Sequence, residues 1–409
     1  MNVLYISSLS SSGLIDEVFR RTNMNPGFAV QKFSRLLVKG LERNHIDVTA
    51  FSIPPITRQY TKKLWVNLKN ETENGVAYKY MPFINSPIIK HIWVFMYSFF
   101  TVLRWGVKTR DNKAIICDVL CISSSMGSLL ASKICGIKSV AVVTDIYEQM
   151  VGEKVSGMKA VLKHMAGFFN KRYVHLFDKY VLLTEAMNEV VNPKGRPYIV
   201  MEALCDKELI KEKHSVMPKD NPRVIMYAGG LEKKYGLKML VDAFMTIQGD
   251  DIELHLYGSG TYVKELIKAA EQDARIKYYG VRPNEEIIAA ELRATLLVNP
   301  RFTIEEFTRY SFPSKNMEYM VSGTPMLTTK LPGMPTEYYP HVFLIEEETI
   351  DGYAQAIMRV MKESSNTLAK KGNTARDFVL NNKNNVYQSA RILELLEINK
   401  CSKQINNRT

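Results

Sequence analysis

Short apolar runs alternate with amphipathic stretches along the whole 409-residue chain. Strand-length apolar runs separated by segments of 3.6-residue period are the pattern of βαβ units and parallel sheets. In the first half, Val3–Ser7 reads as a strand, followed by a serine-rich loop from Ser7 to Gly13. Pro26-Gly27 opens a helix in which Phe33, Leu36, Leu37, Gly40 and Leu41 fall at core spacing. Val48–Ser52, Ala114–Cys121, Val140–Val143 and Tyr180–Leu183 read as the next strands. The pattern then restarts. Arg223–Gly229 is a buried-type strand ending in Gly229-Gly230, Leu237–Ile247 a helix, and Ile252–Tyr257 a strand closed by Gly258-Ser259-Gly260. Ile276–Gly280, Thr295–Asn299, Pro325–Thr329 and Val342–Ile345 continue the series.

Two such series in a chain longer than one core usually organises predict two α/β domains. The boundary is expected near 198–220, where Lys, Glu, Asp and Pro cluster, giving domains over 1–200 and 201–384. Residues 385–409 hold a last helix, around Val386–Ile398, whose Leu/Ile stripe suits packing back onto the first domain.

Composition narrows the class. Hydrophobic residues at 46% and charged residues at 23% are those of a globular protein and exclude a disordered chain. Cys117, Cys121, Cys135, Cys205 and Cys401 form no metal-ligand spacing, and their odd number excludes a complete internal disulfide set. A reducing compartment fits best. The first residues, Met1-Asn2-Val3-Leu4-Tyr5, carry no basic region ahead of the apolar run and read as a buried strand rather than a signal peptide. A cytoplasmic location is expected.

Charge is distributed unevenly. Residues 1–200 hold 26 Lys and Arg against 14 Asp and Glu, and residues 201–409 hold 28 of each, so the first half carries the whole net +12. That half faces either an anionic partner or only solvent. Nucleic acid, anionic lipid and a phosphorylated acceptor are the candidate partners, but no aromatic–basic motif or helix-turn-helix supports nucleic acid. Two segments suit a membrane surface. Ile92–Leu103 is free of charge, rich in aromatics and bracketed by Lys90, His91, Arg104, Lys108 and Arg110. It is shorter than the roughly twenty residues needed to span a bilayer, and reads as a core helix or an interfacial one. Met158–Phe169 is a basic amphipathic stretch, with Lys159, Lys163, Lys171 and Arg172 at or beyond its apolar face.

The candidate chemistry lies in the second half. The turn Gly229-Gly230-Leu231-Glu232-Lys233-Lys234-Tyr235-Gly236 joins a strand to a helix, where glycines admit a ligand to the backbone and Lys233 and Lys234 supply charge suited to a diphosphate. Further on, Phe312-Pro313-Ser314-Lys315-Asn316-Met317-Glu318 begins a helix ending at Gly323. Glu318 stands there among Met317, Met320 and Val321, where a carboxylate needs a partner such as ribose hydroxyls.

The run F-P-S-K-N-M-E-Y-M-V-S-G-T-P-M-L resembles the segment found in retaining glycosyltransferases of family four, where it follows G-x-L-x-x-x-x-G by about eighty residues, as here. Tyr257-Gly258-Ser259-Gly260 matches that family's glycine-rich strand end, and Tyr279-Gly280-Val281 its nucleobase-side turn. The resemblance covers 223–362 well. It is looser over 1–200, where it rests on Pro26-Gly27, Val143-Thr144-Asp145 and Leu182-Leu183-Thr184-Glu185.

The resemblance implies a GT-B fold, two Rossmann-like domains with parallel sheets facing across a cleft. It implies a nucleotide sugar as donor, held by the second domain at Gly229, Gly230, Tyr257, Gly258, Val281, Ser314, Lys315 and Glu318. An acceptor, saccharide or polyprenyl-diphosphate-linked, would be held by the first at Gly27 and Asp145. Asp145 is either an acceptor contact or base, or a helix cap or loop acid. Glu318 aligns with the second acid of the family's E-x7-E pattern, while Tyr310 stands at the first and leaves contacts to the donor hexose open. Gly230 replaces a common Arg, and Tyr235 occupies a place often held by Lys. No Asp-x-Asp occurs, so no metal or other cofactor is expected, and Lys234 or Lys233 would neutralise the leaving diphosphate. Retention and a role in bacterial cell-surface polysaccharide assembly, at the inner face of the membrane, follow from the same likeness. A donor-binding but inactive accessory subunit and a nucleotide-sugar 2-epimerase are the alternative readings.

Overall fold

A computed structural model describes residues 1–22, 27–109, 112–146, 167, 171–210 and 218–405, with the backbone alone at 87 and 398–405. The chain divides into two compact units, Met1–Leu204 with Asn385–Thr409, and Cys205–Asn384.

Unit 1 is built on β1 (Asn2–Ser7), β2 (Asp47–Ser52), a short ribbon of β3 (Trp65–Val66) and β6 (Phe83–Ile84), β4 (Glu71–Glu73), β5 (Val76–Tyr80), β7 (Lys113–Asp118), β8 (Lys138–Val143), β9 (Lys179–Leu182) and β10 (Tyr198–Val200). Its main sheet runs β10-β9-β8-β7-β1-β2-β5-β4, parallel throughout except for β4, which pairs antiparallel with β5 at the edge. The apolar runs explain the centre: Tyr5, Ile6, Ile115, Ile116, Val140 and Ala141 are fully buried, as strands covered on both faces must be. Helices α1 (Ser12–Thr22), α2 (Phe28–Arg43), α3 (Pro87–Lys108), α4 (Ile122–Ile134) and α5 (Ala186–Val191) complete the described part.

Several local readings change. The serine-rich loop is shorter than its composition suggests, because α1 starts at Ser12. β7 stops at Asp118 instead of running to Cys121, since the Asp118 carboxylate accepts from Leu120 N at 3.0 Å and turns the chain. The strands between 65 and 84, two to five residues each, leave too short a trace of alternation to be read. Ile92–Leu103 is part of the longer α3, whose Val94, Ser98 and Val102 are buried while Ile88, Ile92, Met96 and Phe100 stand exposed. α3 and α4 lie so close that a Cβ on Gly127 would overlap the Phe95 carbonyl. Of the amphipathic stretch 158–169, all but Gly167 lies outside the described residues, as does Pro26. Among the described residues no helix is long and apolar enough to cross a membrane.

Unit 2 restarts the scheme with β11 (Arg223–Gly230), β12 (Ile252–Ser259), β13 (Ile276–Gly280), β14 (Leu296–Asn299), β15 (Met326–Thr329) and β16 (Phe343–Ile345). The sheet is wholly parallel in the order β13-β12-β11-β14-β15-β16, the doubly wound order of a Rossmann domain. Its helices are α6 (Leu237–Thr246), α7 (Val263–Gln272), α8 (Asn284–Arg293), α9 (Ser314–Ser322), α10 (Ile350–Met361) and α11 (Ser365–Asn382). On one face, Leu240, Val241 and Phe244 of α6 join Tyr353, Ile357 and Val360 of α10 over Ile225, Leu254, Leu296 and Leu327. Thr349 and Ser364 accept from Gly352 N and Thr367 N, which starts α10 and α11 where they start.

The C-terminal helix, Asn385–Ile405, belongs to unit 1. Asn385 Nδ2 and Ser389 Oγ donate to the Leu36 and Leu37 carbonyls of α2 at 3.2 and 3.1 Å. Gly40 lets them in, since a Cβ there would overlap the Asn385 carbonyl.

Candidate active site

In unit 2 the strand order reverses between β11 and β14, and ligands of such sheets bind beyond the carboxyl ends of strands at that switch point. The turn after β11 and the loop after β14 therefore frame the site. After Gly229-Gly230 the chain makes a tight helical turn over Lys233–Tyr235 and leaves it at Gly236, with φ of 78°. Only glycine fits there, because a Cβ would also overlap the Pro300 carbonyl beyond β14. At the end of β12, the room at Gly258 is taken by the Gly229 carbonyl and that at Gly260 by the backbone of Leu231. These two glycines let the β11 turn lie against β12. The space over Gly230 is filled by the Tyr235 ring, 3.1 Å from where a Cβ would stand.

The cations of the turn differ in engagement. Lys233 Nζ pairs with Glu265 at 2.7 Å. Lys234 Nζ lies 5.4 Å from the centroid of the Tyr235 ring and 5.9 Å from that of Phe307. A third cation, which the sequence reading missed, joins it. The Arg301 guanidinium lies 4.4 Å from the Tyr235 centroid and 5.8 Å from that of Phe307. Its backbone is held from below: Tyr353 Oη donates to the Pro300 carbonyl at 2.8 Å, and Thr329 Oγ1 to that of Arg301 at 2.6 Å. Burial pushes its pKa down, opposed only by the neighbouring hydroxyls of Tyr227, Tyr235 and Tyr319.

α9 is fixed against the same strand ends. Asn299 at the end of β14 donates to the Asn316 side chain at 2.5 Å, and Ala228 N of β11 donates to Tyr319 Oη at 2.8 Å. Glu318, the neighbour of Tyr319, is paired with Lys315 at 2.6 Å. Its carboxylate thus has the partner that its apolar neighbours could not supply. Ser314 is exposed at the start of the helix, and Tyr310 follows a short helical turn over Glu306–Arg309. Beyond β12 and β13, Tyr257 and Tyr279 stack with centroids 4.8 Å apart, Tyr278 Oη donates to the Gly258 carbonyl, and Val281 is 72% exposed.

In unit 1 the order reverses between β1 and β7. Asp118, missed by the sequence reading, is the last residue of β7 and only 2% exposed; Asp145 follows the end of β8. Burial pushes both carboxyls up to about 6, and the charge of Asp145 adds to the effect on Asp118. Gly27 adopts a left-handed conformation (φ 84°) immediately before α2.

The comparisons with known proteins agree with this architecture. The family described as "Glycosyl transferases group 1" matches residues 207–378, nearly all of unit 2 and less than half of the chain. Among solved structures, an Anabaena protein, Alr3699/HepE, in complex with UDP is similar at 15% identity and TM-score 0.60, over 97% of this chain and 100% of that one. The lipopolysaccharide outer core galactosyltransferase WaaB matches at 14% identity and TM-score 0.61, over 97% and 99%. A glycosyltransferase from Rickettsia africae matches at 15% identity and TM-score 0.63, over 97% of both chains. No curated protein matches at a significant level. The fold is that of the GT-B glycosyltransferases. Unit 2 carries the region that matches the glycosyl transferases group 1 family.

Proposed function

We propose that the protein moves a hexose from a nucleotide sugar bound by unit 2 to a lipid-linked saccharide bound by unit 1, with retention, in the assembly of a cell-surface polysaccharide. The observation that carries this reading is the convergence of Lys234 and Arg301 on the Tyr235 and Phe307 rings at the switch point of a doubly wound sheet, within the region that matches the glycosyltransferase family. UDP is the first nucleotide to test, because the similar Anabaena structure holds it.

The leaving nucleoside diphosphate gains charge as the bond from the anomeric carbon to its oxygen breaks. Cations already in place at the site stabilise that charge without reorganising in the transition state. Lys234, which pairs with no carboxylate among the described residues, suits this better than Lys233, held by Glu265. Lys315 fixes the Glu318 carboxylate on α9, ready to accept from ribose hydroxyls. Asp145 is the candidate acceptor contact or base in unit 1, and its carboxyl, with a pKa of about 6, is mostly ionised at neutral pH.

Transfer assays with UDP- and GDP-sugars and a lipid-linked saccharide acceptor test the proposal. Transfer should persist in EDTA, and Lys234→Ala should lower turnover at least about a hundredfold with less effect on donor affinity. Turnover lost in EDTA and restored by manganese would sink the lysine mechanism. Donor binding without transfer would favour the accessory-subunit reading, and conversion of the nucleotide sugar without acceptor the epimerase.

A membrane surface is the proposed second partner. The exposed stripe Ile88, Ile92, Met96 and Phe100 on α3 runs on into Arg104 and Lys108, and Trp93 on the same helix meets Trp65 of β3 at 5.3 Å between centroids. Exposed tryptophans beside lysines suit the interface of an anionic bilayer.

A further inference from the structure

The geometry points to Arg301 as a ligand of the donor's diphosphate, an inference that rests on the donor reading above and names the residue that holds its charge. Three observations carry it. First, Arg301 stands immediately beyond β14, across the sheet's switch point from the turn after β11, where a doubly wound sheet places its ligand. Second, among the described residues the guanidinium has no ion-pair or hydrogen-bond partner, and its surroundings are Tyr227, Tyr235, Tyr319 and Phe307. A charge withdrawn from water costs free energy unless an anion meets it, and rings offset only part of that cost. Third, the position is built. Tyr353 and Thr329 anchor the Pro300 and Arg301 carbonyls, and the absence of a side chain at Gly236 lets the β11 turn close against Pro300.

What kind of anion fits follows from the donors present. A guanidinium offers two parallel N–H groups to one phosphate, and Lys234 lies over the same pair of rings with a single point charge. Two cations of different shape on one aromatic platform suit two linked phosphates better than a single carboxylate. Lys233 is the internal control, since Glu265 already neutralises it.

The test is titration of full-length wild type, Arg301→Met, Arg301→Lys and Lys233→Met with UDP, GDP and their monophosphates, together with melting of each variant without nucleotide. Wild type should prefer the diphosphate. Arg301→Met should weaken diphosphate binding about ten- to a hundredfold and leave the monophosphate nearly unchanged. Arg301→Lys should keep part of the preference, and Lys233→Met all of it. Because the cation is uncompensated in the empty protein, Arg301→Met should melt no lower than wild type. Unaltered diphosphate preference in Arg301→Met would overturn the assignment while leaving the donor reading intact. So would a lower melting temperature with that preference unaltered, the mark of a structural arginine. Wild type that binds no nucleoside diphosphate would overturn the donor reading and this inference with it.

Discussion

At the residue scale, the acid Asp118 separates structural from functional cost. Its carboxyl is buried at the end of β7, where among the described residues Leu120 N and the Cys121 thiol donate to it, and its pKa is pushed up to about 6 by that burial. The folded protein therefore holds this proton more tightly than the unfolded chain does. The stability it contributes is complete below about pH 4 and is lost as pH rises through about 6. A displacement of roughly two pH units corresponds to about 3 kcal/mol. Asp118→Asn should thus raise stability by up to about that amount at pH 7.5 and change it little at pH 4, as measured by denaturant unfolding at both values. An equal effect at the two pH values would show that the charge is not what destabilises the site. A gain in stability accompanied by loss of transfer would mark Asp118 as an acid retained for the acceptor.

At the scale of elements, unit 2 depends on one very close helix contact. α9 ends at Gly323 in the left-handed conformation, φ 74°, and its carbonyl lies where a Cβ on Gly372 of α11 would stand. Glycine within a helix ordinarily costs up to about 1 kcal/mol relative to alanine. Here the sign should reverse, because the obstacle is backbone and cannot swing aside; overpacking of this kind costs about 1–3 kcal/mol. Gly372→Ala should lower the unfolding midpoint and, by shifting α9, weaken donor binding through Glu318. A stabilised variant would mean that the two helices separate freely. The same contact completes the anchoring of α9, which Asn316, Tyr319 and Gly323 tie to β14, β11 and α11 in turn.

At the scale of the whole molecule, charge and apolar exposure coincide in the first half of the chain. The net +12 arises entirely within residues 1–200, which also bear the exposed stripe of α3 and the Trp65–Trp93 pair. Each basic residue near an anionic surface contributes about 1 kcal/mol, and salt screens that attraction. The protein should co-sediment with vesicles containing anionic lipid at low salt and dissociate at high salt. An Ile92→Asp/Phe100→Asp variant should bind more weakly even at low salt, while its donor affinity stays unchanged because α3 lies in the other unit. Indifference of wild type to such vesicles would leave the stripe for a protein partner.

What could be read from residues alone was local. The two series of strands, the turn Gly229–Gly236 and the helix opening at Ser314 each announce themselves within about a dozen residues, through apolar period and the backbone needs of glycine and proline. Glu318, Lys233 and Lys234 were visible for the same reason. Arg301 and Asp118 were not, since each is an ordinary charged residue after an apolar run. They gain significance only because β14 lies beside β11 and β7 beside β1, pairings across 71 and 111 positions of sequence by their first registered residues, Ile225 with Leu296 and Asn2 with Lys113. Nor could composition tell Lys233 from Lys234, or show that Gly258 admits the Gly229 carbonyl. Strand order and close backbone contacts are settled by which distant surfaces exclude water together, and that competition is decided only in the folded chain.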